Sequence, residues 1–198
     1  MNELKSKGLF IANSNRAADR ARQLRELVRH AEVWIANAEL FARKIPEAKG
    51  RYRQIEDRMQ SLIAAERNTG DSVARSEISV TVTQGDLAGG EIDLAVNQAW
   101  DINLEGDGTS LNREFAGWNG SCENTSDLHQ RASAQSIQDW EQACKQASVE
   151  RDGFLPIFKD IRRQAADLKS FQAAAQEHRK VLMDKASQFV DVSYGSPN

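Results

Sequence analysis

Apolar side chains recur along the first third of the chain at alternating steps of four and three residues. This is the heptad pattern of a helix that packs lengthwise against another helix, and Leu27, Trp34 and Phe41 widen its apolar face. The pattern predicts a long amphipathic helix that begins near Asn13 or Ser14 and needs a helical partner. The series is Ala17, Ala21, Leu24, Val28, Ala31, Ile35, Ala38, Ala42 and Ile45.

Pro46 falls inside this helical pattern, where a proline removes a backbone donor and clashes with the preceding turn. The apolar series resumes beyond the proline with a shift of phase, at Ala48, Tyr52, Ile55, Met59 and Leu62. A kink in one long helix and a tight turn between two antiparallel helices both account for that shift. The sequence leaves both alternatives open.

The period of the apolar pattern changes from 3.6 residues to two after the loop-like residues 68–76. Such alternation is typical of half-buried β-strands, and the glycines of residues 84–90 suit a hairpin loop between two of them. The sequence therefore predicts an antiparallel meander of two or three strands. Its apolar positions are Ile78, Val80, Val82, Ile92, Leu94, Val96, Trp100, Ile102 and Leu104.

The remainder of the chain predicts a long loop and a second helical arm. Residues 105–124 are glycine-rich, and Leu111, Phe115 and Trp118 are the expected anchors of that loop. Beyond the capping candidates of residues 125–127, a four-three apolar spacing returns and is interrupted at Pro156. The sequence does not decide whether Pro156 ends this helix or kinks it.

These segments predict a mainly α fold with a small β insertion. Residues 1–76 form an N-terminal helical arm, residues 77–124 the acidic meander and loop, and residues 125–198 a C-terminal arm packed on the first within one continuous domain. The expected architecture is a bundle of three or four long, proline-interrupted amphipathic helices that carries the meander.

The charge of the chain is unevenly distributed. The net formal charge is +5 over residues 1–76, −8 over residues 77–126 and zero over residues 127–198. An acidic module repels nucleic acid and attracts basic surfaces or cations, although it also neutralises a basic arm of its own chain. The expected binding surface for a basic partner comprises Glu91, Asp93, Asp101, Glu105 and Asp107.

Two further groups of charged residues are candidate sites. Arg22, Arg25 and Arg29 share one side of the first helix and suit phosphate binding, but the interspersed acids favour ordinary pairing along a solvated helix. The run from residue 101 to residue 109 resembles the first half of a calcium-binding loop, without the closing glutamate. The weak calcium candidates are Asp101, Asn103, Glu105 and Asp107.

The cysteines and histidines match no zinc pattern. Cys122 and Cys144 are predicted to be free thiols, because a helix from residue 126 onward would carry Cys144 beyond disulfide range. Free thiols, and the lack of any signal-peptide pattern or transmembrane segment, favour a cytoplasmic location, with a secreted form that has lost its signal as the alternative.

No nucleophile elbow, phosphate-binding loop or dinucleotide motif occurs in the sequence, so no catalytic residue or cofactor is expected. The first hypothesis is a non-enzymatic protein-protein interaction or assembly protein, expected to form a homo-oligomer through its coiled-coil seam, with an acidic β tip. One alternative is an acidic inhibitor that blocks a basic, nucleic-acid-binding site on another protein. A second is a helical membrane-active protein with a β tongue.

Overall fold

The computed structural model describes residues 2–70, 72–103, 107–123 and 131–190. Within these ranges the chain forms four α-helices, α1 (Asn2–Thr69), α2 (Ser72–Asn103), α3 (Asp107–Glu123) and α4 (Ala134–Ala186). The described residues contain no strand. The prediction of a helical bundle is therefore confirmed, and the prediction of a β meander is wrong.

Residues 72–103 form a helix because a heptad pattern underlies the alternation that suggested strands. The positions that α2 buries are spaced by four and three residues, or by their sums, and they include Ile78, Ile92 and the hydroxyl-bearing Thr81. Val80 and Leu94, which completed the alternation, point to solvent. Burial of the heptad positions therefore outweighs the low helix propensity of this valine-, threonine- and glycine-rich segment.

The first helix is longer than predicted and passes through Pro46 without a turn. Its buried positions include Leu27, Trp34 and Phe41, whereas Val28 and Ile35 are only half-buried. With the first three on the seam, the four-three spacing continues past the proline without a phase shift. The phase shift was inferred from the sequence because Val28, Ile35 and Ala42 were taken as seam positions in place of Leu27, Trp34 and Phe41.

Helix α1 ends in a left-handed glycine before α2 begins. Gly70 has a φ of 62° and its N–H donates to the Glu66 carbonyl at 2.8 Å. That is a glycine C-cap, which only a residue without a Cβ adopts readily. The buried Glu66 carboxylate accepts hydrogen bonds from the Arg75 guanidinium, which lies on the first turns of α2. The turn and this ion pair hold the two helices antiparallel.

The described chain divides into two compact units, and the first comprises residues 1–39 and 100–162. Its core is aromatic: Trp34 lies 4.9 Å from Phe154 between ring centroids, and Phe154 lies 5.6 Å from Phe115. The residues predicted to anchor a loop thus contribute to α3, a helix, and that loop prediction is wrong. Ser133 caps the start of α4, because its hydroxyl accepts from the Ser136 N–H at 3.2 Å. The capping candidates predicted at residues 125–127 lie outside the described residues.

The second unit comprises residues 40–99 and 163–198. Its three helical segments come from the end of α1, most of α2 and the end of α4, which continues through Pro156. One cluster of its hydrophobic core is formed by Met59, Ile63, Ile78, Leu182 and Ala186. The Tyr52 hydroxyl donates to the Ala175 carbonyl at 2.8 Å and ties α1 to α4 within this unit.

The two cysteines form a disulfide rather than free thiols. Cys122 at the end of α3 and Cys144 on α4 lie 5.8 Å apart between Cα atoms. The prediction of free thiols was wrong because it assumed a helix from residue 126 onward. Helix α4 begins at Ala134, so Cys144 lies only about three turns into it and reaches the end of α3.

Candidate docking surface

One side of α2 carries a row of large apolar side chains that the fold does not bury. Val73, Val80, Leu87 and Leu94 are 63%, 57%, 69% and 59% exposed, respectively. They recur every seven residues, so they lie on one side of the helix, away from the row that includes Ile78 and Ile92. We call these four residues the outer stripe.

Small and uncharged residues accompany the outer stripe. Ser76, Thr83, Gly90 and Asn97 are exposed and each follows a stripe residue by three positions. Together the eight positions repeat the four-three heptad spacing, so α2 carries a second seam on its solvent side. No formal charge falls on this outer seam, which spans residues 73–97.

The acidic residues that flank the outer seam are paired within their own unit. Glu91 accepts from the Arg51 guanidinium at 2.9 Å, and Glu77 pairs with Arg58 at 3.1 Å. On the other flank, Asp93 accepts from Gln172 Nε2 at 2.6 Å. Each ion pair is about half exposed, so each contributes little to stability on its own.

Asp86 also forms an ion pair. It pairs with Arg179 of α4, whose guanidinium is also the group that a Cβ at Gly89 would meet. Glu91 and Asp93 were predicted to contact a basic partner. The structure places Arg51 against Glu91 and Gln172 against Asp93, and the contact with a partner stays a prediction. Three carboxylates of α2, those of Glu77, Asp86 and Glu91, are thus paired with arginines of α1 and α4.

The calcium candidates are not gathered into a described site. Asp101 and Asn103 lie in the last turn of α2 and Asp107 begins α3, whereas Glu105 lies outside the described residues. Elsewhere in the described chain, no three His, Cys, Asp or Glu residues are grouped as metal ligands. The calcium interpretation stays a prediction.

The three arginines that were considered as a phosphate site have different surroundings on α1. Arg22 pairs with Asp19 at 2.9 Å, the ordinary pairing along a helix. Arg25 and Arg29 line an open groove of about 740 Å³ in the first unit, together with Lys145 and the acids Glu32 and Glu150. Burial raises the pKa of the Glu150 carboxyl, and repulsion by Glu32 adds to this. The mixture of signs weakens any attraction for phosphate.

A polar cluster lies among the helices of the second unit. The Glu56 side chain is only 17% exposed, and its Oε1 lies 3.8 Å from His178 Nδ1. Burial raises the pKa of the Glu56 carboxyl, while the nearby His178 lowers it. Burial also raises the pKa of Tyr52 to about 12, and the Glu56 charge adds to that effect.

The cavity beside this cluster is small. It is lined by Tyr52, Glu56, Gly85 and Arg179 among others and measures about 30 Å³. Drug-sized ligands need roughly 300–1,000 Å³. This cavity is therefore smaller than a drug-sized ligand needs.

The outer stripe was not predicted from the sequence, although its seven-residue spacing was present there. The spacing of seven from Val73 to Leu94 is visible in the printed chain, but alternation over the same residues was taken for strands. Only the burial of the opposite row shows that these four side chains are exposed.

No protein-family model, curated protein or solved structure matches the chain. None of the described helices has the length and apolar content that a bilayer crossing requires.

Proposed function

We propose that the protein is a non-enzymatic interaction or assembly protein that binds a helical partner along the outer seam of α2. The observation that carries this proposal is the exposure of Val73, Val80, Leu87 and Leu94 at heptad spacing. Full burial of a valine or leucine side chain is worth about 1.5–3 kcal/mol, so a helix that covers the stripe gains several kcal/mol. A helix-in-groove or coiled-coil contact uses this spacing of anchors.

The charges of the second unit favour an apolar, helical contact over the other two functions inferred from the sequence. An acidic inhibitor requires carboxylates that are available to a basic site, whereas Glu91 and Asp93 are engaged with Arg51 and Gln172. A membrane-inserting β tongue has no counterpart, because residues 72–103 are helical. The proposal therefore retains the interaction hypothesis and replaces its acidic β tip by the stripe on α2.

The disulfide is evidence about the compartment in which the protein would bind its partner. Cytosolic thiols are kept reduced, and disulfides persist in oxidising compartments. The Cys122–Cys144 bond therefore supports a site of action in an oxidising compartment, in place of the cytoplasmic location favoured by the sequence.

Site-specific photo-crosslinking in the native host tests the proposal. A benzophenone amino acid replaces Leu87 in one variant and the exposed Lys180 of α4, in the same unit, in a control variant. We expect a discrete crosslinked band from position 87 and none from position 180. Equal crosslinking from both positions, or none from position 87, would contradict a docking surface on α2.

A further inference from the structure

We propose that the helix bound along the outer seam is α2 of a second copy of this chain, packed antiparallel about a two-fold axis at the level of Gly85. This inference rests on the proposed function, because it names the partner of the same surface. It follows from a self-complementarity in the seam that requires no other protein.

The seam is self-complementary because large and small residues exchange places about its midpoint. In an antiparallel pair of helices, each layer of the interface combines core position a of one helix with core position d of the other. In this seam the valines and leucines lie at position a and the small or short polar residues at position d. An axis at residue 85 makes every layer pair one valine or leucine with one small or short polar residue. The layers are Val73 with the second copy's Asn97, Ser76 with its Leu94, Val80 with its Gly90 and Thr83 with its Leu87.

This pairing gives each large side chain a place to insert. Gly90 has open space around the position where a Cβ would stand, so the second copy's Val80 can approach the backbone there. In such a two-fold contact both copies use the same surface, and each pair of residues occurs twice. The contact is isologous, so it is complete with two copies. The expected assembly is therefore a dimer and not a filament.

The charges beside the seam are compatible with a second copy. The antiparallel register brings Glu77 near the second copy's Glu91, which would repel if both carboxylates stood alone. Each of them is already paired with an arginine of α1, Arg58 and Arg51 respectively. Because Glu77, Glu91 and Asp86 are each paired with an arginine and the seam carries no charge, the burial of the stripe is opposed by little repulsion.

The size of the surface sets the strength that we expect. The eight seam positions and the seven positions that flank them give about fifteen residues per copy, against about 20–30 per side in a standard stable interface. The dimer is therefore expected to dissociate at micromolar concentrations, on the order of weak and transient complexes.

A competing occupant is the start of α1 from a second copy. Leu9, Phe10 and Ile11 are also exposed, and they follow two lysines. A contact between this segment and the α2 stripe would be head-to-tail, because it uses two different surfaces, and it would generate open chains instead of a closed dimer.

Crosslinking through introduced cysteines distinguishes the two directions of packing. Gln84→Cys lies about 3 Å from its counterpart along the axis of the proposed dimer, whereas Gln98→Cys lies about 39 Å from its own. With a short bismaleimide and the native disulfide left oxidised, we expect a crosslinked dimer from the first variant and none from the second. Crosslinking from both variants would indicate parallel helices, and crosslinking from neither would remove the α2 contact.

Sedimentation of the full chain with matched charge substitutions tests the identity of the surface. Leu87 and Leu9 are 69% and 66% exposed, so a lysine at either position leaves the fold intact. We expect wild type and Leu9→Lys to show the same monomer–dimer equilibrium and Leu87→Lys to weaken it at least tenfold. Circular dichroism of each variant confirms that its helix content is unchanged.

Three outcomes overturn the inference. Dissociation by Leu9→Lys alone, or open-ended growth, would assign the contact to the start of α1. A wild-type chain that stays monomeric at hundreds of micromolar would exclude the second copy as occupant. In that last case the proposed function still stands if photo-crosslinking at position 87 captures a different protein, and it fails if position 87 captures nothing.

Discussion

Glu56 shows how one buried carboxyl couples the second unit to pH. Its side chain is mostly covered by the helices around it, and Oε1 makes no hydrogen bond. His178, at 3.8 Å, offsets part of the cost of burying the charge, and Arg53 and Tyr52 offset less of it. Because desolvation is the largest effect, the pKa of Glu56 in the folded chain lies above its ordinary value of 4.5.

Replacing Glu56 by glutamine removes this coupling. The folded chain retains a proton on Glu56 over a pH range in which the unfolded chain has already lost it, so unfolding releases a proton there. The free energy of unfolding of the wild type should therefore fall, relative to Glu56→Gln, as pH rises from about 4.5 through the raised pKa. Urea denaturation of both proteins between pH 4 and pH 8 measures the difference.

The neighbouring residue supplies the control for this experiment. Asp57 is exposed on the same helix, and Asp57→Asn changes the same formal charge without removing a buried carboxyl. Its difference from the wild type should vary little over the same range. A Glu56→Gln difference that is flat with pH, or that rises, would show that Glu56 ionises as freely in the folded chain as in the unfolded one.

At the scale of elements, α2 is the helix that its own composition supports least. It contains three glycines between residues 85 and 90, and each costs about 1 kcal/mol relative to alanine in a helix interior. The helix is retained because its inner row is buried against α1 and α4. That dependence on tertiary contacts explains why local pattern and propensity pointed to strands.

Gly85→Ala should stabilise the protein by about 0.5–1 kcal/mol, because alanine favours the helix and loses less conformational entropy on folding. A Cβ at this position meets Ile55 Cγ2 at 3.7 Å, which is ordinary contact. Thermal and urea unfolding, followed by circular dichroism, measure the gain.

Gly89→Ala is the matched control for this substitution. Its Cβ would stand 3.4 Å from the Arg179 guanidinium, which must shift and disturb its pair with Asp86. A smaller gain is therefore expected. If residues 84–90 formed a hairpin loop, neither alanine would stabilise the protein through helix propensity, and destabilisation by Gly85→Ala would contradict the helix.

At the scale of the whole molecule, the disulfide joins α3 to α4 within the first unit and closes a loop across 22 positions. A crosslink of that length restricts the unfolded chain, and the chain-entropy estimate is about 3 kcal/mol. The double variant Cys122→Ser/Cys144→Ser should therefore unfold at lower urea, with a loss of about 2–4 kcal/mol.

Reduction of the wild type should have the same effect as the double substitution, and reductant should leave the double variant unchanged. Tryptophan fluorescence reports on this unit directly, because Trp118 and Trp140 lie 5.6 Å apart between ring centroids. Equal stability of the oxidised and reduced wild type would show that the bond adds nothing to the fold.

The sequence by itself determined the helical arms and much of their inner face. Leu24 and Ala31, both taken from the first heptad series, are fully buried, because the apolar face of a long amphipathic helix packs against other helices. It also located the acidic segment and the prolines. It did not identify α2 or the disulfide, since each depends on which distant residues come together.

The tertiary structure decided which side of each helix is covered and which is left exposed. An apolar residue at heptad spacing reads the same in the sequence whether it is inside, as Ile78 is, or outside, as Leu87 is. Only the packing of α2 against α1 and α4 distinguishes the two, because burial is a property of neighbours and not of the residue. The same packing pairs Glu91, Glu77 and Asp86 with Arg51, Arg58 and Arg179, and leaves the outer stripe exposed.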